Sequence, residues 1–316
     1  MRSANRLNEI ENDRNSVVTV GSFDGMHLAH QEIIREVVQR ARKRGGRSVL
    51  VTFEPHPREV VGSHTGVPIL TTLAEKQELA ERWSIDLFFT IDFNYDFSRL
   101  AAREFYLKYL VEGIGVSEIV EGYDHHFGRD REGSVQEMLT LGREFGYSSV
   151  AVKQFVVNNQ IVNSTAIREF LAEGNVERAK TFLGRPYTVD GTVVKGDRRG
   201  RSLGFPTANI QPHSPKKLIP RNGIYFVGVR ADGRWHPGIA SIGVRPTFGS
   251  NGGRVVEVYI LDFDRDIYGA DLRIAYHRRL RDEMKFDSAE QLVHQMHLDK
   301  EESIRLRAEF QNTDNH

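Results

Sequence analysis

Thr19-Val20-Gly21-Ser22-Phe23-Asp24-Gly25-Met26-His27-Leu28-Ala29-His30 is the stretch whose reading decides the fold. Val17, Val18 and Val20 supply β-branched apolar residues for a buried strand. Gly21 and Gly25 mark a tight turn where the backbone bends or lets a ligand come close. Beyond it, Ile33, Ile34, Val37, Val38 and Ala41 fall on one helical face, and Gly45-Gly46 ends the helix. His27 and His30 are three apart, so they share a face at the helix start. That end carries free N–H groups and positive dipole, which suit phosphate. Two readings are open at this point. The imidazoles can donate hydrogen bonds to phosphate oxygens as charge builds in a transition state. Alternatively, they only cap the helix or lie on the surface.

Working outward, Ser48 to Phe53 reads as a second strand, so strand, helix and strand make a right-handed βαβ unit of a parallel sheet. Glu54-Pro55-His56-Pro57 follows at the carboxyl end, the edge where open α/β sheets bind ligands; two prolines would also simply stop the strand. Thr72 and Glu75 have capping-box spacing and open another helix. Ile85–Ile91 is a third strand, a helix from about Ser98 to Val111 follows, and Glu118-Ile119-Val120 is a fourth strand. Alternating strands and helices predict a doubly wound, Rossmann-like α/β domain. The fourth strand runs into Glu121–Gly133, where Asp124, His125, His126, Phe127 and two arginines lie between glycines. That mixture suits an aromatic ligand carrying phosphate. Asn163 to Arg168 starts a further helix. Ser164 or Thr165 would be its N-cap and Arg168 lies one turn in, an arrangement for plain capping or for phosphate.

After Leu183-Gly184-Arg185-Pro186-Tyr187 the pattern changes to short strands: Tyr187–Val194, Ala208–Ile210, Ile224–Arg230, Arg234–Ile242, Arg254–Phe263 and Asp271–Leu280. Ala231-Asp232-Gly233 is a hairpin signal, and the spacing predicts a small antiparallel β-barrel. A C-terminal helix begins near Ser288, with Gln291 at capping-box spacing. We therefore expect one domain over 1–185 and a second over 186–316. Between the barrel's first two strands, Gly191, Lys195, Gly196, Arg198, Arg199, Arg201 and Gly204 make a cationic glycine-rich loop without Walker A spacing. Such a loop wraps phosphates or is ordinary basic surface. Pro206-Thr207-Ala208-Asn209 follows, and Thr207 and Asn209 point to one strand face as hard oxygen ligands for Mg²⁺ and a nucleotide phosphate. Glu257 faces opposite to Val256 and Val258, as a solvated carboxylate or a pocket wall.

Composition narrows the classes. A chain of 316 residues suggests about two domains, and 39% apolar with 27% charged residues is ordinary for a globular protein. Lys+Arg and Asp+Glu both count 43, so no excess of positive charge points to nucleic acid. The absence of cysteine excludes disulfides and thiol catalysis. Residues 1–16 carry no apolar leader segment and no long apolar run follows, so a cytoplasmic location without a membrane is expected. A weak homo-oligomer is left open.

The opening stretch resembles the His-x-Gly-His motif of the nucleotidyltransferase superfamily. In its fuller form it is similar to the bifunctional bacterial riboflavin kinase/FMN adenylyltransferase (FAD synthetase) family. That family has glycine at Ala29. It shares the Phe-x-Pro-His-Pro around Phe53, Pro55 and His56, and a Gly-x-Asp-x-x-Phe-Gly loop matched by Asp124 and Phe127. Its Ser-Ser-Thr-Arg-Ile-Arg motif is matched by Ser164, Thr165 and Arg168 but not by Asn163 and Ala166. Gly204–Asn209 carries the whole Gly-x-Pro-Thr-Ala-Asn of riboflavin kinases, with further matches at Arg245-Pro246-Thr247-Phe248 and Val256–Tyr259. The resemblance implies riboflavin + ATP → FMN + ADP in the second domain and FMN + ATP → FAD + diphosphate in the first. It implies that His27 and His30 stabilise the α-phosphate, and that Gly21, Phe23, Asp24, Ser164, Thr165 and Arg168 hold ATP. The flavin would meet Phe53, Pro55, His56, Asp124 and Phe127. In the kinase, Gly191, Lys195, Gly196, Gly204, Pro206, Thr207 and Asn209 would hold Mg·ATP, Arg245 and Arg281 the flavin, and Glu257 would be the base. The alternative is a riboflavin kinase whose first domain, altered at Ala29 and Ala166, only binds nucleotide or flavin.

Overall fold

The computed structural model describes residues 1–61, 67–122, 135–196, 204–244 and 254–311, in two compact units, Met1–Ser164 and Thr165–His316. Asp124, His125, His126, Phe127, Arg198, Arg199, Arg201 and Arg245 lie outside the described residues.

In the first unit the chain runs β1 (Arg2–Ala4), β2 (Ser16–Val20), α1 (Leu28–Arg44), β3 (Ser48–Glu54), α2 (Pro57–Val61), α3 (Leu73–Arg82), β4 (Leu87–Asp92), α4 (Tyr95–Ser98) and α5 (Ala102–Phe105). α5 continues into a π-helical segment, Tyr106–Ile114, followed by β5 (Val116–Gly122), α6 (Val135–Phe145), β6 (Ser148–Val152) and a two-stranded hairpin of β7 (Val156–Val157) and β8 (Gln160–Ile161). Six strands pair in parallel in the order β1-β4-β3-β2-β5-β6. Every residue of β2 is buried, as expected for a central strand covered on both faces. Val17, Leu50, Phe88 and Val120 pack on Ile34, Val37, Val38 and Ala41 of α1 and Leu79 of α3. The alternate residues Val18, Val49, Phe89 and Ile119 pack on Phe105, Leu110, Ile114 and Met138. A buried aliphatic side chain contributes about 1.5–3 kcal/mol, so α1 is held mainly by its one apolar stripe. From β2 the chain adds β3 and then β4 on one side, where β1 already forms the edge, and returns to add β5 and β6 on the other. The β2/β5 boundary is therefore the switch point, where ligands bind beyond the strands' carboxyl ends.

Most sequence expectations for this unit hold, including Gly45 as the left-handed C-cap of α1 (φ 61°) and the reciprocal Thr72–Glu75 capping box. The helix expected over Ser98–Val111 is different: it breaks into α4, α5 and the π-helical segment, which buries Tyr106, Leu110 and Ile114. Edge strand β1 is too short for any periodicity to reveal it.

The second unit contains α7 (Ser164–Glu173), whose first residue falls in the first unit, and α8 (Val176–Leu183). Then come β9 (Tyr187–Val194), β10 (Thr207–Pro212), β11 (Gly223–Ala231), β12 (Arg234–Val244), β13 (Arg254–Ile260), β14 (Asp271–Arg281) and α9 (Ala289–Gln311). The strands close an antiparallel barrel in the order β10-β13-β12-β11-β14-β9. Alternation is plain in β9: Tyr187, Val189, Gly191 and Val193 are buried, and the residues between them half-buried. The β11–β12 loop is the pair Asp232 (φ 50°) and Gly233 (φ 74°), two left-handed residues suited to the twist of a hairpin. At α9, the amide of Gln291 donates to Ser288 Oγ (3.3 Å), and the glutamine's own Oε1 accepts from the amide of Asp287 (3.1 Å).

Candidate active sites

The turn after β2 is held in a conformation that local preference does not favour. Phe23 (φ 46°), Gly25 (φ 90°) and Met26 (φ 45°) are all left-handed, a cost for the two non-glycine residues that surrounding contacts must offset. Those contacts come from residues 70–71. Asp24 Oδ1 accepts from the amides of Leu70 (2.8 Å) and Thr71 (2.9 Å), and the amide of Gly25 donates to Thr71 Oγ1 (2.8 Å). Asp24 is thus a buried brace of the turn. Ser164, expected as a helix cap, instead donates its hydroxyl to the carbonyl of Asp24 (2.8 Å); the helix begins on Ser164 itself. Phe23 lies against Gly21, where an added Cβ would meet its ring at 3.2 Å.

This turn delivers His27 as the N-cap residue of α1 and His30 one turn later. His27 makes no side-chain capping bond, so the capping reading of that histidine does not hold. The two rings stack, with centroids 3.6 Å apart and planes 15° from parallel, and Phe23 meets His30 edge-on at 5.1 Å. The first turn of α1 has no acidic residue to oppose an anion. From the strand next door, Phe53 is buried against Phe93 and Phe97, Glu54-Pro55 is a cis peptide, and His56 accepts on Nδ1 from the amide of Arg58 (3.1 Å). Thr165 is exposed and Arg168 half-buried on α7.

Sequence reasoning passed over Lys76. It lies on the first turn of α3 with only 2% of its surface exposed. Burial lowers its pKa, while the charges of Asp24, Glu54, Glu59 and Glu75 act in the opposite sense. Its position in a capping-box helix start was visible in the sequence; its burial was not. A separate cavity of about 510 Å³ lies along the β1 edge, lined by Arg6, Asp92, Phe97, Lys108 and Tyr109 among others, and by none of the expected site residues.

In the barrel, register does the assembling. Thr207 pairs with Tyr259, Asn209 with both Val194 and Glu257, and Glu257 with Ser241. Ala208, Ile210, Val256 and Val258 take the opposite face, and the last three of these are buried. Thr207, Asn209, Glu257 and Ser241 therefore share the outer face, and Thr207 Oγ1 lies 3.4 Å from Glu257 Oε2. Glu257 is a half-buried wall of this row; Ser241 was not foreseen, because only pairing places it there. Asn209 is seated against Gly196, where a Cβ would come within 2.0 Å of its amide nitrogen. Gly191 is in β9, Lys195 and Gly204 are exposed, and Pro206 precedes the threonine. Phe205 is buried, with Tyr259 at 5.3 Å and His297 of α9 at 5.1 Å. Hydroxyl, amide and carboxylate oxygens on one face fit Mg²⁺, a hard cation.

Arg281, expected at the flavin, pairs with a carboxylate of the C-terminal helix. Its Nε and Nη2 form a fork on Asp299 of α9 (2.9 and 2.7 Å), and Nη1 donates to the carbonyl of Asp282 (3.0 Å). Its neighbour Arg279 donates to the carbonyl of Asn222 and to Asp282, both at 2.8 Å.

A phosphate-favouring helix start at the switch point of a parallel sheet, with an oxygen-ligand row on a separate barrel, defines a phosphate-transfer protein with two sites. The family models agree: that for FAD synthetase matches residues 9–166 and that for riboflavin kinase residues 183–306. Proteins described as bifunctional riboflavin kinase/FMN adenylyltransferase match along most of their length. The Listeria monocytogenes protein is 37% identical over 95% of both chains. The Pseudomonas fluorescens protein is 38% identical over 88% of this chain and 89% of its own, and the Escherichia coli K12 protein 33% over 90% of both. A Streptococcus pneumoniae crystal structure described as a macrolide-efflux protein superposes with a TM-score of 0.86 at 32% identity, covering 95% of this chain and 97% of that one. The chain belongs to the family of bifunctional riboflavin kinase/FMN adenylyltransferases. The kinase-only alternative is set aside, since both family models match and the relatives are described as bifunctional.

Proposed function

We propose that the residues gathered at the two sites divide two successive transfers between them. The chain is a bifunctional transferase that makes FMN from riboflavin and ATP, then FAD and diphosphate from FMN and ATP. In the first module, proposed over 1–185, a phosphate oxygen of FMN attacks the α-phosphorus of ATP and the bond to diphosphate breaks. His27 and His30 donate to the α-phosphate oxygens as charge grows, beside the N–H groups of α1. Gly21, Phe23 and the turn braced by Asp24 shape the nucleotide site. Ser164, Thr165 and Arg168 hold the departing phosphates, and Phe53, Pro55, His56, Asp124 and Phe127 take the flavin. The stacked histidine pair at the start of α1 supports this reading most directly.

In the second module, proposed over 186–316, Glu257 accepts the proton of the ribityl hydroxyl as that oxygen attacks the γ-phosphorus and ADP leaves. Gly191, Lys195, Gly196, Gly204 and Pro206 frame the nucleotide, and Arg245 contacts the flavin. Thr207 and Asn209 would hold Mg²⁺, which supplies charge neutralisation on the phosphates when bound. Arg281, whose guanidinium also forks onto Asp299, joins Arg245 on the flavin side.

ATP and flavins are the small-molecule partners. The finer reading places the protein in the cytoplasm, apart from membrane and nucleic acid, with a weak homo-oligomer left open; the even balance of charge supports only the part about nucleic acid. Among the described residues no helix is long and apolar enough to cross a membrane. The test of the whole is a time course with riboflavin, ATP and Mg²⁺, followed by flavin chromatography. FMN appearing first and FAD second is the expected result; FMN alone would sink the first module's assignment.

A further inference from the structure

We propose that Lys76 is a positioning residue of the adenylyltransferase site, whose buried ammonium holds the Asp24 brace and with it the turn that presents His27. The inference rests on assigning His27 to adenylyl transfer. The links run from residue to residue. Asp24 Oδ1 is bound by the amides of Leu70 and Thr71, and Thr71 Oγ1 in turn receives the amide of Gly25. The next residue, Thr72, begins α3 with a reciprocal bond to Glu75. Lys76 follows, its amide donating to the carbonyl of Thr72 (3.0 Å). Asp24, Glu75 and Lys76 are 1%, 5% and 2% exposed. Asp24 is bound to the amide of Thr71 and Glu75 to that of Thr72, so two buried carboxylates sit on the amides of consecutive residues at the start of α3, and the charge of each acts on the buried lysine. Glu54, at the end of β3, and Glu59, on α2, add further negative charge toward the same lysine.

Without the lysine, the buried carboxylates of Asp24 and Glu75 would lose a cation whose charge offsets theirs where little water screens them. The element least able to absorb that loss is the turn 23–26, since Phe23 and Met26 hold left-handed conformations that only their surroundings maintain. The next residue is His27. A shift of the turn moves the imidazole relative to the α-phosphate, and a displacement of about 1 Å costs on the order of a hundredfold in rate.

The same chain carries its own control, because the kinase lies in the other module. In the full chain, Lys76→Met is expected to lower the kcat of FMN adenylylation about a hundredfold, with less than a fivefold change in the KM for ATP, and to leave riboflavin phosphorylation within twofold. Lys76→Arg, which keeps the charge, is expected to retain kcat within about fivefold. A folded Lys76→Met protein that still makes FAD within twofold of the parent overturns the proposal. So does an arginine variant as impaired as the methionine one, and so does a loss confined to KM. Should Lys76→Met fail to fold, the arginine variant decides alone: retention supports the role of charge and loss overturns it. His27→Asn is assayed alongside. If that variant keeps full FAD synthesis, the assignment of the histidine has failed, which is a different outcome from failure at Lys76.

Discussion

The two proposed phosphate sites are built from opposite materials. The first uses a turn against its local preference, buried side-chain braces, and two rings stacked at a helix start. The second uses a ladder: Thr207, Asn209, Glu257 and Ser241 are aligned by antiparallel pairing, with the barrel core directly behind them. A turn braced from elsewhere in the chain is sensitive to distant changes, because several separate contacts must hold it. A ladder face is sensitive mainly to the residues on it, because many backbone hydrogen bonds fix it in common.

The largest expected effect tests the ladder. Glu257→Gln removes the proposed proton acceptor and should lower riboflavin phosphorylation by about a thousandfold, while FAD formation from supplied FMN stays as in the parent. Flavin chromatography from each starting substrate reads both. His27→Asn should lower FAD formation by a few hundredfold and spare the kinase, because one proposed donor to the developing charge is lost. If either substitution damaged both reactions alike, the separation of the modules would fail.

Stability sharpens the contrast next. His277 of β14 is 5% exposed, and burial lowers its pKa to about 4 from the usual 6.5. An unfolded chain takes up a proton on this residue below about pH 6.5, whereas the folded barrel resists until about pH 4. Its stability is therefore full above pH 6.5 and falls as the pH drops toward 4, by about 2 kcal/mol on reaching pH 5. Urea unfolding at pH 7 and pH 5 measures this, and His277→Phe should reduce the difference. The smallest effect probes the ladder's rim. Gly196→Ala forces a methyl group toward the Asn209 amide and should raise the kinase KM for ATP about tenfold, with FAD formation from FMN unaffected.

How far the sequence could be read varied with the range of the forces involved. Helix α1, with its stripe of Ile34, Val37, Val38 and Ala41 and its Gly45 end, is a local pattern and was legible in full. So were the Thr72–Glu75 box and the Asp232-Gly233 turn. The π-helical segment was not, because its residues form an ordinary amphipathic pattern and only their packing sets the winding. Arg281 shows the same limit at a site: its fork on Asp299, eighteen residues away, follows from the packing of α9 on the barrel and from no local pattern.

From sequence alone followed the two-module plan, the parallel α/β unit and the barrel, the histidine pair and the Thr-x-Asn motif. Each of these is written in neighbouring residues or in a repeat of period 2 or 3.6. Only the tertiary structure decided that the rings of His27 and His30 stack, that Asp24 turns inward to hold residues 70–71, that Ser241 joins the row of Glu257, and that Lys76 is buried. These depend on residues far apart in the chain, and burial and charge compensation exist only once those residues have been brought together.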